Sequence, residues 1–513
     1  MFSSCKKELE QEPEQTKENG IQLQNLRMEK PNKKVNPFSY ENIKKARTKI
    51  NTQRSTANRG TDDDYLYTYL KFDPNNVSSE LLLQLEADTT IRILSFPFAN
   101  GEVYDEQFAL DEAKANQLAN GNLYVVAKKN SAIETTLKTT LSITPIVLDE
   151  LYMPAEEDTT LQFQAFREAG YSEEQVAQLR ICLFKRPSGF MSYLDQETNT
   201  LVRVPGMQVW GLVFGIPIHT YTDRDGYYRL PWRFVAGTIM GTHAKNDRIN
   251  IKPLNTQGAW WLTIPLQFIV GTVHIHGWVG ACQMRNDVNI EFRTHKQNRY
   301  WAQLLHSVSL HDGYCAADGI RNAPDRLLMY AHWDDNYGSA SAPMLGHISS
   351  TPYSLILQLF TGLLNGDDPN NHPNIVRLLN GILSDITIKT GSFERDRYSS
   401  RLMQTAFHEL GHASHFRRAG QGYWLDFIRA TLRNHPDDQC GGGYGCGQNP
   451  DDGNVGIGES WAEFIGTNHA LRNHIDGQKN SRWRSLTTFG GWNFLALIRF
   501  DDALERKPWF FND

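Results

Sequence analysis

No stretch of this chain reaches the roughly 18 uninterrupted apolar residues that a membrane helix needs. The longest apolar run, 260–273, is too short and is interrupted by Pro265 and Gly271. A strong charge of either sign is also missing. Against 52 Lys and Arg stand 58 Asp and Glu, a formal net charge of -6. That balance leaves no electrostatic footprint for nucleic acid. The basic clusters at 30–34 and 44–49 read as a solvated N-terminal stretch. Cysteine is scarce too. With Cys5 set apart, Cys182, Cys282, Cys315, Cys440 and Cys446 remain, an odd number that is no disulfide framework. No internal repeat is visible. What is present is an apolar fraction of 40% beside a charged fraction of 21%, which reads as globular with a core. At roughly 100–200 residues per domain, the length allows two to four domains.

The chain begins Met1-Phe2-Ser3-Ser4-Cys5: one large apolar residue, two small ones, then a cysteine. Lys6-Lys7-Glu8-Leu9-Glu10 follows. The first run resembles the end of a bacterial lipoprotein signal, without the charged and apolar regions that precede such an end. The second resembles the Lys-then-acid export tag of Bacteroidota surface lipoproteins. The resemblance implies a lipid anchor at Cys5 and a place at the outer membrane or cell surface, or secretion. The plain alternative is a cytosolic chain with a chance cysteine. Residues 6–62 are rich in Lys, Glu, Gln and Asn and cannot bury enough surface to offset ordering entropy, so they suit a tether.

Four segments are expected: the tether at 1–62, a small α+β domain at 63–147, a β-rich domain at 148–265 and an α+β catalytic domain at 266–513. In the first folded unit, 76–86 reads as a helix with Leu81, Leu82, Leu83 and Leu85 on its apolar face, and 91–98 and 123–127 read as strands. Ser172 and Gln175 stand at capping-box spacing, and 181–184 looks extended. Alternating runs at 209–214 and 216–221 are β-like. Asp225-Gly226 then makes a turn within Thr222-Asp223-Arg224-Asp225-Gly226-Tyr227-Tyr228. This segment resembles the regulatory β-sandwich found beside carboxypeptidases. Asp223 and Asp225 could hold calcium, but the EF-hand pattern is absent and a structural turn is the simpler reading. Further on, 270–279, 326–331 and 385–389 read as strands, and 298–310, 353–364 and 374–383 as helices.

Chemistry concentrates at Phe407-His408-Glu409-Leu410-Gly411-His412-Ala413-Ser414-His415. His408 and His412 lie one helical turn apart, so both imidazoles can reach one metal from the same side. Glu409 lies beside them without taking a coordination place, as a base for metal-activated water requires. Ser399 or Ser400 can cap this helix, Gly420 can end it, and Leu402, Met403, Ala406, Phe407, Leu410 and Ala413 form its apolar arc. His415, about 10 Å along the axis from His408, is too far to join the same ion and reads as lining the cleft or supporting a ligand.

A third ligand has several candidates: His415, the Cys440–Cys446 loop, Glu459, Glu463, His469 and His474. The pair Glu459 and Glu463, one turn apart on a helix with Trp461, Phe464 and Ile465 on its buried side, fits best. One carboxylate can bind the metal and the other can orient a ligating imidazole. Together the two motifs resemble the gluzincin peptidases. That resemblance, over roughly 270–475, implies a zincin-like catalytic domain, one Zn2+ per chain, Glu459 as ligand and Glu463 behind it. The gap between the motifs is longer than in the thermolysin type, and its glycine-rich part, 440–458, could be a lid. Cys440 and Cys446 could close a small disulfide or stay free.

The expected function is zinc-dependent endopeptidase action on extracellular protein or peptide, with Glu409 as general base. Tyr444, His469, Arg472 or His474 would donate to the oxyanion, and an edge strand at 339–345 would bind substrate backbone. Rival readings are a surface binding protein with a vestigial or structural zinc site, and a zinc hydrolase of a non-peptide amide.

Overall fold

Helix α1 (Tyr40–Gln53) leads into β1 (Leu66–Phe72), β2 (Arg92–Leu94), β3 (Leu123–Lys128), α2 (Ala132–Thr140) and β4 (Ile146–Tyr152). The four strands form an antiparallel sheet in the order β2-β3-β1-β4. Successive residues of a strand point to opposite faces, and here both faces are covered. Tyr69, Val126 and Leu151 enter the main core, whereas Leu70, Phe72 and Val125 enclose Leu81, Leu85 and Leu137 in a separate small one.

The structure is a computed structural model, and it describes residues 36–53, 65–73, 91–94, 122–140, 146–155, 158–182, 186–234, 237–253, 272–280, 287–293, 297–333, 339–348, 384–390, 399–434 and 452–475, with Leu81 and Leu85. The helices expected at 353–364 and 374–383 lie outside these residues, as do most of 76–86, the first five residues and the Cys440–Cys446 loop.

Two short helices follow, α3 (Thr159–Glu168) and α4 (Glu173–Cys182). The N-terminus of α4 carries a reciprocal capping box. The Gln175 amide donates to Ser172 Oγ at 3.2 Å, and the Ser172 amide donates to Gln175 Oε1 at 2.9 Å. The helix continues through Cys182, so 181 and 182 are helical where the sequence reads as extended.

The chain next lays down β5 (Ser188–Asp195), β6 (Thr200–Arg203), β7 (Gln208–Val213), β8 (Ile216–Tyr221), β9 (Tyr227–Arg229), β10 (Thr238–His243), β11 (Ile249–Pro253), β12 (Val273–Val279) and β13 (Ile290–Phe292). One antiparallel sheet runs β12-β10-β7-β8. A mixed sheet runs β13-β5-β6, with β13 parallel to β5, β6 antiparallel to it, and β9 also paired antiparallel to β5. The turn before β9 is held by its own backbone. Asp223 Oδ1 accepts from the amides of Asp225 and Tyr227, each at 2.9 Å, and Gly226 adopts φ 72°. This carboxylate is occupied as a turn requires.

The C-terminal elements are α5 (Gln297–Asp318), β14 (Leu327–Trp333), β15 (Ser339–Ser341), β16 (Ile386–Thr390), α6 (Ser399–Asn434) and α7 (Asp452–Ile475). Helix α5 extends two turns beyond the 298–310 read from sequence. Strands β11, β14 and β16 are parallel, and β15 adds antiparallel at the edge. Among the described residues the protein is thus a mixed α/β structure of several sheets and seven helices. Strands from both sides of residue 265 share sheets: β13 pairs with β5, β12 with β10, and β11 with β14.

Candidate metal centre

Helix α6 is fixed at its start by acids far away in sequence. Glu197, in the turn between β5 and β6, accepts from the Ser400 amide and hydroxyl, each at 2.8 Å. Ser399 Oγ donates to Asp195. The serines expected to cap the helix therefore use their hydroxyls as donors, and the carboxylates meet the positive end of the macrodipole. Leu402, Met403, Ala406, Phe407, Leu410 and Ala413 are all buried. This anchors the back of the helix in the core and leaves the histidines on its front.

At Gly420 the chain turns, with φ 86° and ψ 171°. On a straight helix His412 and Trp424 would stand about 18 Å apart. Their ring centroids are only 6.0 Å apart, and Phe427 lies 5.8 Å from His412. The segment after Gly420 thus folds back and lays an aromatic wall against the second histidine. Trp424 and Phe427 stack at 4.7 Å.

Helix α7 packs along α6 through glycine. A Cβ at Gly411 would lie 3.0 Å from Ala462 Cα, and one at Gly466 would lie 3.0 Å from His408 Cβ. This close approach brings Glu459 to both histidines. Its Oε2 is 3.5 Å from His408 Nε2 and 3.4 Å from His412 Nε2. One ligand atom from each of the three residues lies within 4.8 Å of the other two. Around tetrahedral zinc with bonds of roughly 2.0–2.1 Å, neighbouring N and O donors stand about 3.3–3.4 Å apart. The three residues therefore fit such an ion. On the far side of the first imidazole, Glu463 Oε2 is 3.4 Å from His408 Nδ1, the position of a carboxylate that fixes a ligating ring.

The charges answer to this arrangement. Burial alone would lower the His408 pKa, but Glu459 and Glu463 outweigh it and raise it to about 10. Burial would raise Glu459, yet the two imidazoles bring it down to about 2. The imidazole partner lowers Glu463 as well. Carboxylates that favour a proton on His408 equally favour a metal cation in its place. Glu409 is different. It is 4% exposed, its Oε2 has no hydrogen-bond partner among the described residues, and burial pushes its pKa up.

Other sequence-derived roles fare unevenly. His415 is buried among Tyr423, Trp424 and Trp461 rather than lining a cleft, and burial lowers its pKa to about 4. Ile465 is buried as expected, with Ala462 beside it, whereas Phe464 is 38% exposed. Residues 452–458, read as part of a lid, are the first turns of that helix. Of the proposed oxyanion donors, Tyr444 lies outside the described residues, and Arg472 is held by Asp318 at 2.8 Å. His469 is fully buried, ten residues and about 15 Å beyond Glu459 along α7.

There His469 joins His311 and Cys315, a second group with metal-ligand geometry that the sequence reading did not find. The available signal was His311 and Cys315 at the same four-residue spacing as His408 and His412, on the part of α5 beyond residue 310. Compared with protein-family models, curated proteins and solved structures, the chain matches none.

Proposed function

We propose that this chain is a zinc metallopeptidase whose ion is held by His408, His412 and Glu459, with Glu409 as general base and Glu463 orienting His408. One observation carries the reading: a buried carboxylate with an unpartnered oxygen adjoins a three-donor cluster. A purely structural site would have no use for Glu409. The mixed sheet with an antiparallel edge strand, packed against the metal helix, suits a zincin-like catalytic domain. Both β15 and β16 touch α6, and the edge of β15, unpaired by any described strand, offers backbone groups to an extended peptide.

Zinc bound here would supply Lewis acidity, polarising a carbonyl and acidifying a water. The protein's own part is proton traffic and alignment. Glu409 Oε2 takes the proton from the attacking water and passes it to the leaving amine nitrogen. Burial, which raises its pKa, strengthens it as the base that takes this proton. Glu463 holds His408 by Nδ1, which directs Nε2 toward the ion. Trp424 and Phe427 restrict His412 and exclude water from its flank.

The substrate in this reading is extracellular protein, reached by a chain anchored at Cys5. No described helix is long and apolar enough to cross a membrane. The test pairs two variants on a casein substrate. Glu409→Gln should keep the bound zinc and lose about 100- to 10,000-fold in rate. His408→Ala should lose the ion at this site. A Glu409→Gln protein as active as wild type, or wild type without bound zinc, would defeat the proposal.

A further inference from the structure

We infer that His311, Cys315 and His469 form a second metal site, a buried two-histidine, one-cysteine centre for zinc that ties α5 to α7. All three side chains are completely buried. His311 Nδ1 and His469 Nδ1 are 3.3 Å apart. Cys315 Sγ lies 3.4 Å from His311 Nε2 and 4.0 Å from His311 Nδ1. Two nitrogens and one sulfur sharing tetrahedral zinc, with bonds of about 2.0–2.1 and 2.3 Å, stand about 3.3 and 3.6 Å from one another. With His311 donating through Nδ1, its separations of 3.3 Å from His469 Nδ1 and 4.0 Å from Cys315 Sγ stand near those values, and one donor atom from each of the three residues lies within 4.8 Å of the others, so side-chain adjustment would bring them onto one ion.

The alternative occupant of this space is a hydrogen bond between two neutral imidazoles. It uses one nitrogen of each ring and leaves His469 Nε2 buried without a partner. A metal held through Nδ1 would fix the His469 tautomer, which the hydrogen bond leaves open. With Nδ1 committed, Nε2 carries the proton and faces Asp318 Oδ2, 4.0 Å away. The separation is beyond hydrogen-bond range, and Asp318 stands on the side where a carboxylate that orients a ligating ring would stand. Arg472 holds Asp318 on the other side at 2.8 Å. Thiolate and imidazole together select a borderline-soft ion such as zinc over magnesium or calcium.

The protonation states are suited to the exchange. Burial lowers His311 to about 3 and His469 to about 4, so both rings are neutral and ready to donate. Burial also raises the Cys315 thiol to about 12. Zinc entry therefore expels one proton, from sulfur, and forms the metal–thiolate bond in its place. The ion would act as a strut. It lies on the helix that carries Glu459, and it would fix the position of that helix against α5.

Cobalt(II) separates this site from the first, because a thiolate ligand gives a near-ultraviolet charge-transfer band that two histidines and a glutamate cannot produce, and Cys315→Ser separates it from any other cysteine. The full-length chain loaded with Co2+ should show that band. His408→Ala should retain it and Cys315→Ser should lose it. Where Cys315→Ser does not fold, X-ray absorption of the zinc-loaded His408→Ala chain gives the answer without touching the second site. One sulfur neighbour together with nitrogen supports the assignment. Absence of sulfur, or a cobalt band that survives Cys315→Ser, overturns it. Neither result depends on peptidase activity, so the two proposals stand or fall separately.

Discussion

Gly411 shows how much one missing methyl group decides. It lies one residue before His412, where the backbones of α6 and α7 nearly touch. Gly411→Val would bring little helix-propensity gain to offset the clash, since Val is itself a weak helix former. Overpacking of this kind costs about 1–3 kcal/mol. It would also push Glu459 away from both histidines. Lower thermal stability and a weaker zinc affinity should appear together, by calorimetry and metal competition. Loss of stability with unchanged affinity would show that the helix spacing does not set the site. At this scale the sequence was informative where chemistry repeats at a local period. His408, Glu409 and His412 are one helical turn, and Glu459 and Glu463 another. It was silent on Gly411 and Gly466, because a close crossing depends on two helices whose relative placement no local pattern encodes.

At the level of elements, the break in α6 matters most. A φ of 86° with ψ of 171° belongs to the region that only glycine enters without strain. Gly420→Ala should cost about 1–3 kcal/mol, measurable by urea unfolding. It should also loosen the fold-back that sets Trp424 and Phe427 against His412, seen as a change in tryptophan fluorescence. An unchanged unfolding midpoint would refute the strain. Sequence placed a helix end at Gly420, since glycine suits a helix stop. It could not foresee that a second helical segment returns along the first, because contacts across the turn decide that. The same limit explains the missed second cluster. Read to residue 310, α5 excludes His311 and Cys315; tertiary packing carries it two turns further, to Asp318. The cap of α6 was equally hidden, since Asp195 and Ser399 are 204 residues apart.

Across the whole molecule, several histidines are buried neutral. Burial holds His306, His415 and His469 near 4 and His311 near 3. In the unfolded chain each returns to about 6.5. Between those values the unfolded state binds more protons than the folded one, so acid favours unfolding. Stability conferred by these groups is complete above pH 6.5 and is lost as pH falls toward 4. Each contributes about 1.4 kcal/mol per pH unit inside that window. Urea midpoints of the metal-free chain should therefore drop steeply from pH 7 to pH 5, and a flat profile would contradict the burial described.

The interleaving of strands has a consequence in time. Met191 in β5 pairs with Ile290 in β13, and the acids that cap α6 come from the same early hairpin. A ribosome adds roughly 5–20 residues per second. The hairpin therefore emerges about 10–40 s before the helix it must cap, and waits without Ser399 and Ser400, the partners its carboxylates will take there. Glu459 arrives later still. The candidate metal centre is among the last features to form on a nascent chain, on a foundation laid much earlier.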